Sequence, residues 1–221
     1  MKKVAVVLAG CGSADGSEIN ETVTLLLALD QHGIEYQAFA PDAFQAEVYN
    51  HAIGKHANER RNMMVEAARI VRGNILPMNK FKADDYDALF FPGGSGAAKN
   101  IFSYAYDGIN FKINKEVEKA IRVIHAQGKP IGAMCIAPLM VAKVLGNVNV
   151  TMGSGQCRQA KELAMIGCRH TETTNGGVAV DKENKVFSTP CFMLDATLKD
   201  IYQGAWNLVE AMINEPQTHV R

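Results

Sequence analysis

The chain has 221 residues, of which 48% are apolar, 21% are charged and 7% are aromatic. Lysine and arginine together number 23, as do aspartate and glutamate, so no basic surplus exists to neutralise nucleic-acid phosphates or an anionic membrane. The composition is too apolar for a disordered chain, and no apolar run approaches the ~20 residues that cross a bilayer. These properties predict one globular domain over 1–221, with neither nucleic acid nor membrane as a partner.

The five cysteines form no pair with the close spacing of a zinc knuckle or a redox dithiol. Reduced thiols indicate a reducing compartment, and we expect a cytoplasmic protein. No cluster of histidine, cysteine and carboxylate side chains has the spacing of metal ligands. We therefore expect no metal and no other cofactor.

The first residues allow two interpretations. Met1-Lys2-Lys3, an apolar run to Ala9 and then Gly10-Cys11 are similar to the signal segment of a secreted lipoprotein. However, the run barely reaches the ~7–15 residues of a signal core, and a patterned helix follows it instead of a polar tether. We adopt the other interpretation, a buried first strand over 3–9, because a parallel strand covered on both faces is apolar throughout.

A helix is predicted over 16–32. Asp15 is expected to cap it, with Glu18 reaching back in a capping box, and Gly33 is expected to end it. The stripe predicted to face the core has the spacing i, i+4, i+7, i+8 and consists of Ile19, Val23, Leu26 and Leu27.

Short apolar strands alternate with helices through the rest of the chain. The predicted strands are 35–40, 86–91, 130–134, 178–180 and 185–188, and the predicted helices are 114–127, 137–145, 156–165 and 195–213. This alternation predicts an α/β fold with a mainly parallel sheet, and the last two strands predict a small antiparallel edge. Segment 42–85, with a helical pattern over 60–69, is long for a connection and is expected to be a functional or interfacial insertion.

Cys135 is the candidate nucleophile. It lies where strand 130–134 runs into a helix with Pro138 in its first turn, at the sheet edge where α/β folds place ligands. The positive end of that helix favours the thiolate, which predicts a pKa below the ~8.5 reference value. Geometry alone leaves the alternative, a small buried hydrophobe, equally open.

A glycine turn, Pro92-Gly93-Gly94-Ser95-Gly96, reaches the same edge of the sheet. We expect the N–H groups of Gly94 and Ile136 to hold a developing oxyanion beside Cys135. The turn lacks both the Gly-x-Gly-x-x-Gly pattern and the Gly-Lys-Ser/Thr ending of phosphate-binding loops.

Two carboxylates of the first helix are candidates for a base. Glu18 is assigned to capping, whereas Glu21 is either an interior acid with a raised pKa or, as is usual for glutamate, a solvated surface group. His170-Thr171-Glu172 is similar to the His-x-Glu pair of amidotransferases but comes too soon after the cysteine, and we interpret His170 as structural. Cys191, at a strand end, is expected to line a pocket.

Six short blocks are spread along most of the chain in a characteristic order: Gly10-Cys11-Gly12, Asp15-Gly16-Ser17-Glu18-Ile19, Glu66-Ala67-Ala68-Arg69-Ile70, Pro92-Gly93-Gly94-x-Gly96-Ala97-Ala98-Lys99-Asn100, Met134-Cys135-Ile136-Ala137-Pro138 and Thr189-Pro190. With these blocks the chain resembles the enhancing lycopene biosynthesis protein family, ElbB, in the PfpI-type branch of the class I glutamine amidotransferase-like superfamily. The resemblance implies a flavodoxin-like three-layer sandwich, a homodimer and a link to isoprenoid production.

The resemblance also implies a nucleophile at Cys135. It implies that Glu21 is the family's site carboxylate, which favours the interior acid over the solvated surface group. The implied activity is that of a glyoxalase acting on small 2-oxoaldehydes without glutathione or metal. Cys135 adds to the aldehyde, Gly94 and Ile136 hold the oxyanion, and Glu21 moves a proton between the two carbons before water releases the hydroxy acid. The alternative is a non-catalytic redox sensor or chaperone-like protein acting through oxidation of Cys135.

The chain departs from two groups within the superfamily. PfpI-type proteases have a histidine directly after the cysteine, where this chain has Ile136, so peptide hydrolysis is not expected. Amidotransferases have glycines two positions to either side of the cysteine, where this chain has Ala133 and Ala137, so glutaminase chemistry is rejected.

Overall fold

A computed structural model describes residues 1–215. The strands are β1 (Lys3–Val7), β2 (Glu35–Ala40), β3 (Val48–Asn50), β4 (Lys55–Ala57), β5 (Ile75–Pro77), β6 (Ala88–Phe91), β7 (Ile131–Met134), β8 (Asn149–Val150), β9 (Arg169–His170), β10 (Ala179–Asp181) and β11 (Val186–Thr189). The helices are α1 (Ile19–Gln31), α2 (Met63–Ala67), α3 (Ala97–Asn100), α4 (Tyr104–Asp107), α5 (Lys115–Ala126), α6 (Ala137–Leu145), α7 (Arg158–Met165) and α8 (Leu198–Asn214). None of the helices in this range is long and apolar enough to span a bilayer.

Seven strands form one sheet in the order β10-β11-β7-β6-β1-β2-β5. All neighbouring pairs are parallel except β10 and β11, which are antiparallel at one edge. All residues of β6 and β7 are buried, because strands covered on both faces must be apolar throughout. The predicted α/β fold with a mainly parallel sheet and a small antiparallel edge is confirmed.

Helices cover both faces of this sheet. The chain leaves β1 towards β2 and later leaves β6 towards β7 in the opposite direction, so right-handed crossovers put α1 and α5 on opposite faces. Helix α8 packs against α1, and α6 packs against α5. The result is the expected flavodoxin-like three-layer sandwich.

The strand order reverses between β1 and β6, and α/β folds bind their ligands at such a switch point. Three chain segments leave the carboxyl edge of the sheet there. They are the loop from β1 to α1, the glycine turn after β6, and the junction of β7 with α6. This arrangement brings the segments with the candidate site residues to one place.

The start of α1 differs from the prediction. The helix begins at Ile19, and Glu18 is its N-cap, with a carboxylate that accepts a hydrogen bond from the Glu21 N–H at 2.7 Å. Asp15 does not cap the helix. Its carboxylate accepts a hydrogen bond from the Tyr49 N–H at 2.8 Å, which ties the β3–β4 hairpin to the loop after β1.

The stripe of α1 that was predicted to face the core lies mainly on the surface. Ile19, Val23 and Leu27 are 42%, 49% and 44% exposed, whereas Leu25 and Leu29 are fully buried. The prediction failed because the inward face starts with polar side chains, namely Glu21, Thr22 and Thr24. The apolar spacing therefore pointed to the wrong face.

Segment 42–85 is more than a surface insertion. Its hairpin is joined to the body of the molecule by Glu47, which forms an ion pair with Lys99 and accepts a hydrogen bond from Tyr106. Helix α2 is shorter than the pattern over 60–69 predicts, and β5 joins the central sheet beside β2. Part of this segment therefore completes the sheet.

Candidate active site

Cys135 lies at the junction of β7 and α6 with a φ of 56°, in the left-handed region. This conformation costs energy for a residue with a side chain, and it persists only where the surrounding structure enforces it. Here β7 is fully buried, and the Cys135 N–H donates a hydrogen bond to the Thr189 carbonyl at 3.0 Å. The junction is thus a strained elbow that places the thiol at the carboxyl edge of the sheet.

Two backbone N–H groups, those of Gly94 and Ile136, are close enough to the Cys135 sulfur to lower its pKa. Gly94 has a φ of 111°, and a Cβ on it would lie 2.6 Å from the Glu18 nitrogen, so only glycine fits. Ile136 is the N-cap residue of α6, where N–H groups lack partners within the helix. Both groups expected to form the oxyanion hole therefore converge on the sulfur.

Glu21 is fully buried near the Cys135 thiol. Its Oε2 accepts a hydrogen bond from the Gly93 N–H at 2.8 Å, whereas Oε1 has no hydrogen-bond partner among residues 1–215. Burial, followed by the charge of Glu18, raises the pKa of Glu21 to about 8, and the Gly93 N–H, the Cys135 thiol and the Phe192 N–H oppose that rise. The carboxyl is therefore mostly protonated at neutral pH and close to its titration point.

The pKa of Cys135 is raised well above its usual value, so the predicted lowering by the helix is wrong. Burial is the largest cause, and the negative charge of Glu21 is the second. The N–H groups of Gly94 and Ile136 lower the pKa without reversing the shift. The resting site holds a thiol, whose proton must be removed when the sulfur reacts.

Close packing of glycine turns brings these groups together. A Cβ on Gly93 would lie 2.5 Å from the Cβ of Cys135 and 3.0 Å from Oε2 of Glu21. A Cβ on Gly96 would lie 1.7 Å from the nitrogen of Gly16. The loops after β1 and β6 thus touch backbone to backbone, and this contact holds Glu21 against the elbow.

A cavity of about 500 Å³ opens over the Cys135 thiol. Its lining includes Glu18, Tyr104, Phe192 and Met193. Neither Tyr104 nor Phe192 was among the residues predicted for the site. Tyr104 belongs to a four-residue helix, which is too short to show a helical pattern of apolar residues. The strand end before Phe192 did indicate a pocket, but the prediction assigned the lining to its neighbour Cys191.

Cys191 does not itself line the cavity, contrary to the expectation. It is buried against Cys135 and Glu21, in a single 3-10 turn over Cys191–Met193, and has a left-handed φ of 46°. The turn directs the next two residues, Phe192 and Met193, to the cavity instead.

His170 takes no part in the cavity lining. It lies on β9, in a separate two-stranded sheet, and burial lowers its pKa. Glu172, its partner in the His-x-Glu pattern, accepts a hydrogen bond from the Gly155 N–H at 3.0 Å. Within the part of the chain that the structure describes, no three histidine, cysteine or carboxylate residues are grouped to hold a metal ion.

Sequence comparison finds close relatives, although no model of a known protein family matches the chain. The human glutamine amidotransferase-like class 1 domain-containing protein 3, mitochondrial, is 41% identical over 220 residues, which cover 96% of this chain and 82% of that protein. The mitochondrial ES1 protein homolog of Rattus norvegicus is 40% identical over 220 residues, which cover 96% of this chain and 83% of that protein.

Structural comparison agrees with this result. The crystal structure of an isoprenoid biosynthesis protein with an amidotransferase-like domain from Ehrlichia chaffeensis has a TM-score of 0.88 and 34% identity, and the match covers 96% of this chain and 99% of that chain. Glyoxalase III of Candida albicans has a TM-score of 0.60 and 13% identity, with 96% of each chain covered. At that identity the similarity shows the fold alone.

The relatives correct the expected location. The human and rat proteins, and an ES1 protein of Danio rerio that is 35% identical, are mitochondrial, which contradicts the cytoplasmic prediction. The prediction rested on free cysteines, which distinguish reducing from oxidising compartments but do not separate one reducing compartment from another.

The relatives support the predicted superfamily but not the narrower family within it. They carry the amidotransferase-like name of the superfamily, whereas the narrower ElbB assignment remains a prediction. Identity above one third over almost the full length is sufficient for a family assignment. The chain belongs to the family of glutamine amidotransferase-like class 1 domain proteins, which includes the ES1 proteins.

Proposed function

We propose that this protein is a cofactor-independent glyoxalase, which converts glyoxal or a similar small 2-oxoaldehyde to the 2-hydroxy acid without glutathione or metal. The observation that carries the proposal is the buried Glu21 carboxyl, with a pKa of about 8, beside the Cys135 thiol. Moving a proton between neighbouring carbons requires a nucleophile, a base that titrates near neutrality and support for an oxyanion. This site supplies a candidate for each.

The first step forms a bond between the Cys135 sulfur and the aldehyde carbon. The Glu21 carboxylate, present in a fraction of molecules at neutral pH, accepts the thiol proton as the sulfur adds. Negative charge moves to the aldehyde oxygen, where the N–H groups of Gly94 and Ile136 stabilise it. Protonation of that oxygen gives a hemithioacetal.

The second step moves a hydrogen between carbons. Glu21 returns to the carboxylate form and removes the proton from the former aldehyde carbon, while the electron pair moves towards the neighbouring carbonyl. Protonation of the neighbouring carbon gives a thioester of the 2-hydroxy acid, and water then breaks the carbon–sulfur bond. One carbon is oxidised and its neighbour is reduced, so no outside oxidant is needed. Oε1 of Glu21, which has no hydrogen-bond partner among the described residues, is free to accept these protons.

Proton NMR of glyoxal tests the proposal. Wild-type protein and Cys135→Ala are incubated without glutathione or added metal, and we expect glycolate from the wild type alone, at many turnovers per molecule. Glu21→Gln keeps the side-chain size and is expected to lose turnover, while Cys135 remains open to oxidation. Turnover of Glu21→Gln at the wild-type rate contradicts the role of Glu21. If the wild type makes no glycolate and peroxide adds mass only at Cys135, the redox-sensor alternative replaces the enzyme.

The proposal includes a link with isoprenoid production, which is supported by the name of the similar Ehrlichia chaffeensis protein. Isoprenoid output is compared in cells that carry either the wild type or Cys135→Ala. We expect output to depend on Cys135. Equal isoprenoid output with both proteins would show that the link to isoprenoid production does not depend on the reaction at Cys135.

A further inference from the structure

The cavity over Cys135 is larger than glyoxal requires. Its volume of about 500 Å³ falls within the range of roughly 300–1,000 Å³ that holds drug-sized ligands. Glyoxal, with two carbons and two oxygens, would reach the sulfur and leave most of that space to water. A substrate with a longer substituent next to the reacting carbonyls would fill it.

Part of the cavity wall is apolar and can cover such a substituent. The apolar lining residues are Ile136 at the elbow, Phe192 and Met193 in the 3-10 turn, and Ala98 in α3 after the glycine turn. Phe192 is 38% exposed, so an apolar ligand would remove aromatic surface from water on binding.

The charges around the cavity disfavour anions. Among the described residues that line it, Glu18 is the only charged side chain, and no lysine, arginine or histidine is present. The two cations that adjoin lining residues are already paired, because Arg158 donates to Glu162 at 2.8 Å and Lys99 forms its ion pair with Glu47. An anionic substituent would approach Glu18 without a cation to compensate it.

We infer, on the basis of the proposed glyoxalase function, that the substrate is a 2-oxoaldehyde with an uncharged apolar substituent, and that anionic 2-oxoaldehydes are rejected. The reaction balances as R–CO–CHO + H₂O → R–CHOH–COOH. The same absence of cations acts on the product, since no described side chain that lines the cavity carries a positive charge to hold the new carboxylate. The cavity thus selects a neutral substrate and releases its anionic product.

Two 2-oxoaldehydes of nearly equal shape test this inference. Isopentylglyoxal ends in an isopropyl group, and carboxyethylglyoxal has the same chain ending in a carboxylate. We expect kcat/KM of the wild type to be at least about tenfold higher for isopentylglyoxal than for either carboxyethylglyoxal or glyoxal. Equal or better use of the carboxylate, or a preference for glyoxal, overturns the inference.

Removal of part of the wall supplies a second test. Phe192→Ala shortens the wall, and we expect it to lower kcat/KM for isopentylglyoxal by about tenfold and to lower that for glyoxal by less. The matched control is Phe44→Ala, because Phe44 is 55% exposed and packs against Arg60 instead of the cavity. An equal loss for both aldehydes in Phe192→Ala contradicts recognition of the substituent.

A binding measurement separates failure of this inference from failure of the proposed function. Saturation-transfer NMR on Cys135→Ala, which lacks the nucleophile, reports binding without turnover. We expect a signal from isopentylglyoxal that weakens in the Cys135→Ala/Phe192→Ala protein, and little signal from carboxyethylglyoxal. If no aldehyde is turned over but this pattern holds, the glyoxalase proposal fails and the ligand class stands. If isopentylglyoxal does not bind, or the carboxylate binds as well, the ligand class fails.

Discussion

The buried Glu21 carboxyl makes the stability of the fold depend on pH. Its pKa is about 8 in the folded chain, against 4.5 for an unperturbed glutamate. Between these values the folded protein binds more protons than the unfolded chain, so the free energy of unfolding falls as pH rises from about 4.5 to about 8. At 1.36 kcal/mol per pKa unit, the loss is of order 5 kcal/mol as an upper bound.

Glu21→Gln should remove this pH dependence, because the amide is neutral at every pH. We expect the stability of the variant relative to wild type to increase from about pH 5 to about pH 9, by a few kcal/mol. Urea unfolding at the two pH values measures the difference. Glu35→Gln, at the exposed start of β2, is the control that should change little. A Glu21→Gln difference that does not vary with pH contradicts a buried, protonated carboxyl.

The same substitution should change the reactivity of Cys135. The charge of Glu21 raises the thiol pKa, so removing that charge lowers it, and thiolate forms at lower pH. We expect the pH profile of alkylation by iodoacetamide, followed by mass spectrometry at Cys135, to move to lower pH in Glu21→Gln. An unchanged profile would mean that the charge of Glu21 does not contribute to the thiol pKa.

At the scale of elements, the contact between the glycine turn after β6 and the elbow after β7 holds the site together. In Gly93→Ala the new Cβ would fall 2.5 Å from the Cβ of Cys135 and 2.8 Å from the Met134 carbonyl oxygen, so the turn must shift. We expect a loss of about 1–3 kcal/mol in the free energy of unfolding, together with loss of turnover. Urea unfolding and the glyoxal assay measure the two effects.

Gly155→Ala is the matched control for that substitution. A Cβ at Gly155 would meet only the carboxylate of Glu172, the end of a flexible side chain that can move aside. We expect a smaller loss of stability than in Gly93→Ala and retained turnover. Equal losses in the two variants would show that glycine flexibility, and not the close approach at Gly93, determines the effect.

Two leucines of α1 test which face of this helix packs on the sheet. Leu25 is fully buried and Leu27 is 44% exposed. We expect Leu25→Ala to cost about 2–5 kcal/mol and Leu27→Ala to cost less than about 1 kcal/mol, since the second leaves no internal cavity. Urea unfolding of both variants measures the two losses in the free energy of unfolding. A larger loss in Leu27→Ala would support the face predicted from the apolar spacing.

Elements with strong local signals could be predicted from the sequence, whereas elements that depend on a partner could not. The bounds of β2 and α6 match the prediction because Pro41 and Gly146 end them locally. The short strands β3, β4, β8 and β9 exist through pairing that no local pattern announces. Likewise, the elbow at Cys135 is visible in its own segment, but the burial of Glu21 depends on loops far along the chain.

At the scale of the whole molecule, the homodimer implied by the family resemblance remains a prediction. We expect sedimentation equilibrium of the wild-type protein to give twice the mass of one chain across a range of concentrations. A single-chain mass at micromolar concentration contradicts it. The measurement is independent of the glyoxal assay, so the two proposals stand or fall separately.

The switch point has a consequence for how the protein is made. Glu21 follows the first strand, the glycine turn follows β6, and Cys135 follows β7, so a growing chain exposes the acid long before the sulfur is synthesised. Contacts between residues this far apart in sequence form late, because closing the long loops between them costs conformational entropy. For much of its synthesis, an unfinished chain on the ribosome therefore carries an ordinary glutamate with no cysteine beside it. The chemistry of the pair arises only when the central strands have been assembled.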